Sequence, residues 1–288
     1  MKPAPFAYEA PASLGEAVDL LASDPGAVVT SGGQSLMPVL AFRLATPSLL
    51  VDLRRLPGLA DITIDDTGLR LGARVRWRDI EDDARLVIAH PLLREAVRHV
   101  AHYGIRNRGT VGGSLAHADP AAELPGIVVT CDGEITLVGP AGTRKVPAEE
   151  FFTGALSTAR EPAEIVTELN LPFWPKDRRW AFQEFAQREG DFALAGIALF
   201  YDEDRDGKAQ NAHVGVIGAC DRPHRLSETE SVLDGHVIDE SVIRQAATAA
   251  AREVDPPEDI HAGAAYRRAL VATLVERGLR AAAERRSA

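Results

Sequence analysis

Two periods of hydrophobic and polar positions run along the chain, one near 3.6 residues and one of 2, and the changes between them mark out the elements. Leu14, Val18 and Leu21 form a helical stripe behind Ser13 and Glu16, whose S-x-x-E spacing predicts a capping box. The β-prone run 27–30 leads into Ser31-Gly32-Gly33-Gln34-Ser35, then a helix or turn over 36–44 and a second strand over 49–53. Residues 62–64 and 69–71 flank Asp65-Asp66-Thr67-Gly68 as a hairpin. Pro91 opens a helix with Leu92, Leu93, Ala96, Val97 and Val100 on one face and Gly104 placed as a left-handed cap. Thr110-Val111-Gly112-Gly113-Ser114 reads as a second glycine loop, and 134–138 with 143–146 as another hairpin. Beyond the Pro172-Phe173-Trp174-Pro175 punctuation, strands over 192–201 and 212–217 face each other across a charged tip. Two helices follow, over 240–253 and 264–285.

Composition narrows the class of protein. With 288 residues, 45% hydrophobic and 26% charged, folding removes roughly 75% of the unfolded chain's surface, so two or three lobes can form without metal or disulfide staples. Cys131 and Cys220 are too few and too far apart for a four-thiolate zinc or iron–sulfur site within this chain. Two such cysteines and no apolar leader after Met1-Lys2-Pro3 point to the cytoplasm, and no apolar run is long enough to span a membrane. Thirty-two basic against 42 acidic residues leave a net charge of −10, which disfavours DNA or RNA as the main ligand.

The two diglycine segments carry the strongest chemical signal. Phosphate oxygens need converging backbone N–H groups with no intervening Cβ, and paired glycines permit both the close approach and the positive φ of such a nest. Ser31, Ser35, Thr110 and Ser114 add hydroxyl groups, and a pyrophosphate would explain both segments at once. Neither is G-x-G-x-x-G or a P-loop, and no G-x-S-x-G elbow is present. His99 and His102 stand at i and i+3 without a carboxylate partner, and His117 with Asp119 reads as loop bracing or as an acid–base pair. Phe192, after Arg188-Glu189-Gly190-Asp191, is either core or a platform for a planar ring.

SGGQSLMP from Ser31, ATPSLLVDLRRLPGL from Ala45, IRNRGTVGGSLAHADPAAELP from Ile105 and REGDFALAG from Arg188 resemble, in order, the FAD-binding medium subunits of molybdenum hydroxylases. The resemblance spans essentially the whole chain and implies an α+β, vanillyl-alcohol-oxidase-like (PCMH-type) FAD-binding fold. Its parts would be a first FAD-binding subdomain (1–56), a second (57–173), and a domain with a three-stranded antiparallel sheet and a helix bundle (174–288). By resemblance, Ser31, Gly32, Gly33, Gln34 and Ser35 cradle the FAD pyrophosphate together with Thr110, Val111, Gly112, Gly113 and Ser114. Ala101 lies near the cofactor, Glu123 at its ribose or adenine end, and Arg188 and Phe192 near the isoalloxazine. No side chain is assigned a catalytic or metal-binding role. The implied function is electron transfer: a large subunit with a molybdenum pterin cofactor hydroxylates substrate, and a small subunit with two [2Fe-2S] clusters relays electrons. FAD in this chain then reduces an external acceptor, within a dimer of heterotrimers. The SGGQSLMP form is more similar to the N-heteroaromatic hydroxylases than to the carbon monoxide dehydrogenases, which carry Tyr at the Phe192 position. The alternatives are a carbon monoxide dehydrogenase subunit and a stand-alone flavin oxidoreductase.

Overall fold

A computed structural model describes residues 2–285. The first sheet is parallel, with Leu49–Asp52 between Ala7–Glu9 and Ala27–Thr30. The helix Leu14–Ser23 buries Ala17, Val18 and Leu21 in a small core with Val51 and Leu53. Ser13 caps it by accepting from Glu16 N at 3.2 Å, but the Glu16 carboxylate reaches past the expected partner to accept from Ala12 N at 2.9 Å. The strand Ala7–Glu9 has no periodic signature because all three residues are exposed.

Both predicted hairpins sit in one antiparallel sheet. Its order is Ile62–Asp65, Gly68–Gly72, Ile165–Pro172, Glu134–Gly139, Gly142–Pro147, so a single late strand joins the two hairpins. The helix Pro91–His99 ends sooner than Gly104 suggests. Ala101 itself turns to a φ of 40°, Arg106 Nη1 donates to the carbonyls of Val100 and Ala101 at 3.1 and 3.0 Å, and Gly104 falls within the short helix Tyr103–Arg106. A side-chain clamp thus stabilises the turn where a glycine was expected to do so.

The second diglycine segment is not a loop. It is the first turn of the helix Val111–His117, capped by Thr110 Oγ1, which accepts from Gly113 N at 3.2 Å. Two helical glycines cost about 1 kcal/mol each in propensity, and the cap together with burial of Val111, Gly112 and Leu115 offsets that cost. The helix Glu123–Thr130 follows, with every residue buried.

In the C-terminal part Arg179–Phe185, Ala195–Glu203 and Ala209–Ile217 form three long antiparallel strands, with the two-residue strand His224–Arg225 at one edge. The middle strand starts at Ala195, not Phe192, because residues 186–193 form a loop closed by Leu194 N donating to Phe185 O at 2.8 Å. Ala195, Ile197, Leu199 and Tyr201 face the helices Ser227–Leu233, Glu240–Glu253 and Ala264–Glu284. Ala198 and Phe200, with Phe182 and Ile217, face the opposite way and join the core of the central sheet and its helices. Burial on both faces is why these strands read as long apolar runs.

Arg267, only 4% exposed, secures this junction. Its Nη1 donates to Leu194 O at 2.5 Å and Gly218 O at 2.9 Å, and its Nη2 pairs with Asp259 at 2.7 Å. Arg267→Met strips two buried carbonyls of their donor and is expected to destabilise the chain by about 2–4 kcal/mol. A shift in the urea midpoint worth less than about 0.5 kcal/mol would show the clamp to be dispensable.

Candidate functional site

The first glycine segment meets the backbone that leads into the second. A Cβ on Gly32 would overlap the Arg108 carbonyl oxygen and stand 3.0 Å from Gly109 Cα, and one on Gly112 would stand 2.5 Å from Ala73 Cβ. Thr110 Oγ1 donates across the junction to Ser31 Oγ at 3.2 Å. Glycine is needed at 32 and 112 because two chains approach there without room for a side chain.

The two segments differ in what they can offer a ligand. Val111 N donates to Val75 O at 2.9 Å, Gly112 N to Ala73 O at 2.8 Å, Gly113 N to Thr110 Oγ1 and Ser114 N to Thr110 O at 3.0 Å. Every leading amide of the second segment is therefore committed, and neither of its glycines has positive φ. In the first segment Gly33 has a φ of 73°, and among the described residues no backbone hydrogen bond uses the N–H of Gly33, Gln34 or Ser35. Of the two segments, only the first combines uncommitted amides with the positive φ that an anion nest uses. The expectation of two equivalent nests is corrected accordingly, and the second segment contributes a close-packed wall with the Thr110 and Ser114 hydroxyls.

Ser31, Gly32 and Thr110 also line a cleft of about 430 Å³ in which Arg54, Arg74, Arg76 and Arg108 face Asp52 and Asp79. Asp52 is buried and held by Tyr8 Oη at 2.8 Å and Arg54 Nε at 2.7 Å. Arg76 pairs with Asp79 at 2.6 Å. Gly33, Gln34, Ser35, Val111, Gly112, Gly113 and Ser114 do not line this cleft, nor do Ala101, Glu123, Arg188 and Phe192.

Ala101, Arg188 and Phe192 gather elsewhere. A Cβ on Gly190, where φ is 83°, would stand 2.5 Å from His102 Cε1 and 3.1 Å from the Ala101 carbonyl carbon, so the loop bearing Arg188 and Phe192 packs on the Ala101 turn. Phe192 is 62% exposed and stacks on no aromatic ring among the described residues, which leaves its face open. The Arg188 side chain is exposed. Glu123 opens the helix Glu123–Thr130 and is buried, which pushes its carboxyl up to about 7; its own N–H opposes the shift and Asp119 adds to it.

Asp119 braces its loop, accepting from Ala121 N at 2.9 Å. His99 packs on Phe182, with ring centroids 5.0 Å apart, and no metal-holding cluster of His, Cys, Asp or Glu occurs among the described residues. Sequence reasoning missed two residues of this region, Arg106 and Glu184. Glu184 had a readable signal, being in phase with the apolar Trp180 and Phe182 on a strand of period 2.

Two family models match the chain. Residues 4–174 match the FAD binding domain in molybdopterin dehydrogenase, and residues 180–282 the CO dehydrogenase flavoprotein C-terminal domain. The 6-hydroxypseudooxynicotine dehydrogenase complex subunit alpha of Paenarthrobacter nicotinovorans is 40% identical, over 99% of this chain and 97% of its own. The nicotine 6-hydroxylase medium subunit of the same organism is 36% identical over 96% and 97%. A chain of the quinoline 2-oxidoreductase structure from Pseudomonas putida 86 has a TM-score of 0.94 at 38% identity, covering 99% of each chain. A chain of the carbon monoxide dehydrogenase structure from Hydrogenophaga pseudoflava has a TM-score of 0.95 at 33% identity, covering 98% of each. The chain belongs to the FAD-binding medium subunits of molybdenum hydroxylases, with their α+β FAD-binding fold, and is a flavoprotein oxidoreductase subunit.

Proposed function

We propose that this chain holds FAD as the electron outlet of a molybdenum hydroxylase acting on an N-heteroaromatic compound. The observation that carries the reading is the first glycine segment, whose uncommitted amides at Gly33, Gln34 and Ser35 and positive φ at Gly33 fit a pyrophosphate. Ser31 and Gly32 complete that cradle. Thr110 and Ser114 add hydroxyls beside it, with Val111, Gly112 and Gly113 as its wall. Ala101 and the open face of Phe192 lie against the flavin end with Arg188, and Glu123 accepts a hydrogen bond from a cofactor N–H or O–H.

FAD, when bound, would supply the redox chemistry. The chain's own residues bind and orient. The Arg106 clamp on the Ala101 turn and the Gly190 contact with His102 keep the flavin end rigid, while the Ser31–Thr110 hydrogen bond sets the spacing of the two segments. The division into residues 1–56, 57–173 and 174–288 assigns the first two parts to gripping the cofactor and the third to covering it.

Electrons would arrive from two [2Fe-2S] clusters in a small partner subunit, fed by a molybdenum pterin cofactor in a large one, and leave to an external acceptor. The assembly would be a dimer of such heterotrimers, and the two buried free thiols suit a cytoplasmic location. The N-heteroaromatic substrate is favoured by the relatives at 36–40% identity, named for nicotine and for 6-hydroxypseudooxynicotine, and by the quinoline enzyme at 38%. Carbon monoxide dehydrogenase chains stand at 31–33%.

The complex purified from its native source should show a flavin spectrum and stoichiometric FAD on this chain, with iron and molybdenum confined to two co-purifying chains. Its flavin should bleach with quinoline or nicotine and not with carbon monoxide. Absence of flavin would overturn the FAD reading, and bleaching by carbon monoxide alone would overturn the substrate. Gly32→Ala is expected to push the two segments apart, costing about 2–3 kcal/mol of stability and most of the FAD content. Thr110→Val should cost only about 1 kcal/mol by loss of the cap; equal FAD content and melting in both variants would refute the backbone contact as the organiser of the cradle.

A further inference from the structure

The arginine-lined cleft of about 430 Å³ beside Gly32 has no part in the FAD reading, since the uncommitted amides of Gly33, Gln34 and Ser35 lie outside its lining. Three of its four arginines are fixed from behind. Arg54 is held through Nε and Nη2, both 2.7 Å from Asp52 Oδ2. Arg76 donates to Asp79 through Nε at 2.9 Å and Nη2 at 2.6 Å, and Arg74 Nη1 donates to Arg54 O at 2.7 Å. Each of the three keeps a spare end. Among the described residues no hydrogen bond uses Arg54 Nη1, Arg74 Nε or Nη2, or Arg76 Nη1, and the Arg108 side chain makes neither a hydrogen bond nor an ion pair.

The two carboxylates of the cleft are already occupied. Asp52 Oδ1 accepts from Arg54 N at 2.8 Å and its Oδ2 from Tyr8 Oη at 2.8 Å, while Asp79 Oδ2 also accepts from Arg76 N at 3.0 Å. Each carboxylate is neutralised by its own arginine, which leaves Arg74 and Arg108 as two uncompensated positive charges. Neutral donors stand beside them. Asn107 Oδ1 accepts from Arg78 Nη1 at 3.3 Å, so the amide nitrogen of Asn107 is left to donate. Ser31 Oγ accepts from Thr110 Oγ1 at 3.2 Å, so its own proton is left as well. Anchored guanidiniums with spare N–H groups around a concavity of ligand size match the recognition of phosphate oxygens.

We propose that this cleft binds a dianionic phosphate group carried by a small monoester. Two uncompensated charges match the dianion, and the arginine N–H groups with Asn107 and Ser31 supply donors for its oxygens. The volume leaves space beyond the phosphate for the organic part. The site shares Ser31, Gly32 and Thr110 with the cofactor cradle and none of the cradle's uncommitted amides, so both are occupied together.

The test is calorimetric titration of the purified complex with ribose 5-phosphate, inorganic phosphate and dimethyl phosphate, which is a monoanion. Ribose 5-phosphate should bind tightest, inorganic phosphate more weakly, and dimethyl phosphate at least about tenfold more weakly than ribose 5-phosphate. Affinity for ribose 5-phosphate should rise about tenfold from about pH 5 to about pH 7.5, as the second ionisation of the phosphate near pH 6 completes. Arg74→Gln and Arg108→Gln should each weaken it about tenfold with unchanged melting. Equal affinity for inorganic phosphate would overturn the monoester in favour of free phosphate. Absence of binding, or undiminished binding in both variants, would overturn the site. Binding to the full chain alone that is lost on adding FAD would overturn it by assigning the cleft to the cofactor. Loss on assembly would overturn it by assigning the cleft to an acidic surface of a partner subunit.

Discussion

The close contact of Gly32 with the backbone of Arg108 and Gly109 is the constraint on which the site depends. It joins a parallel sheet with its own small core to an antiparallel sheet with a larger one, and it does so where neither chain has a side chain to spare. Because the four leading amides of the second segment are all committed, three to backbone carbonyls and one to the Thr110 hydroxyl, it serves as the fixed wall. The first segment is left with free amides and a left-handed glycine. This asymmetry turns two similar-looking sequences into one donor surface and one support.

The C-terminal sheet supplies the other boundary. Its strands are buried on both faces, so one face gathers three helices while the other enters the FAD-binding half. Such a double-sided sheet is stiff, and its edge strand can place Glu184 at the seam and carry the Gly190 loop to the Ala101 turn. The energetic cost of enclosing carboxyls there is large, and in this chain it appears as raised proton affinity and not as a salt bridge.

Function in this family is divided between chains, and the chemistry of this one is consistent with that division. The contribution of this chain to that division is position and electrostatics around its cofactor. Backbone amides, an open aromatic face and a clamped turn are the kinds of groups that hold a redox cofactor without taking part in its bond changes.

Local elements with strong periodicity were legible in the sequence. The helix behind Ser13, both central hairpins, the long C-terminal strands and the helix Glu240–Glu253 follow from side-chain spacing and turn residues, which act within a few positions. The two glycine segments and the four ordered motifs also identified the family. What spacing could not decide was which glycine amides are free, because Ala73 and Val75, the partners of Gly112 and Val111, arrive from a distant strand end. Nor could it place the end of the Pro91 helix, set by the Arg106 guanidinium. Local propensity and pattern were written in the chain itself; commitment of hydrogen bonds and burial of charge were decided only when distant segments closed around them.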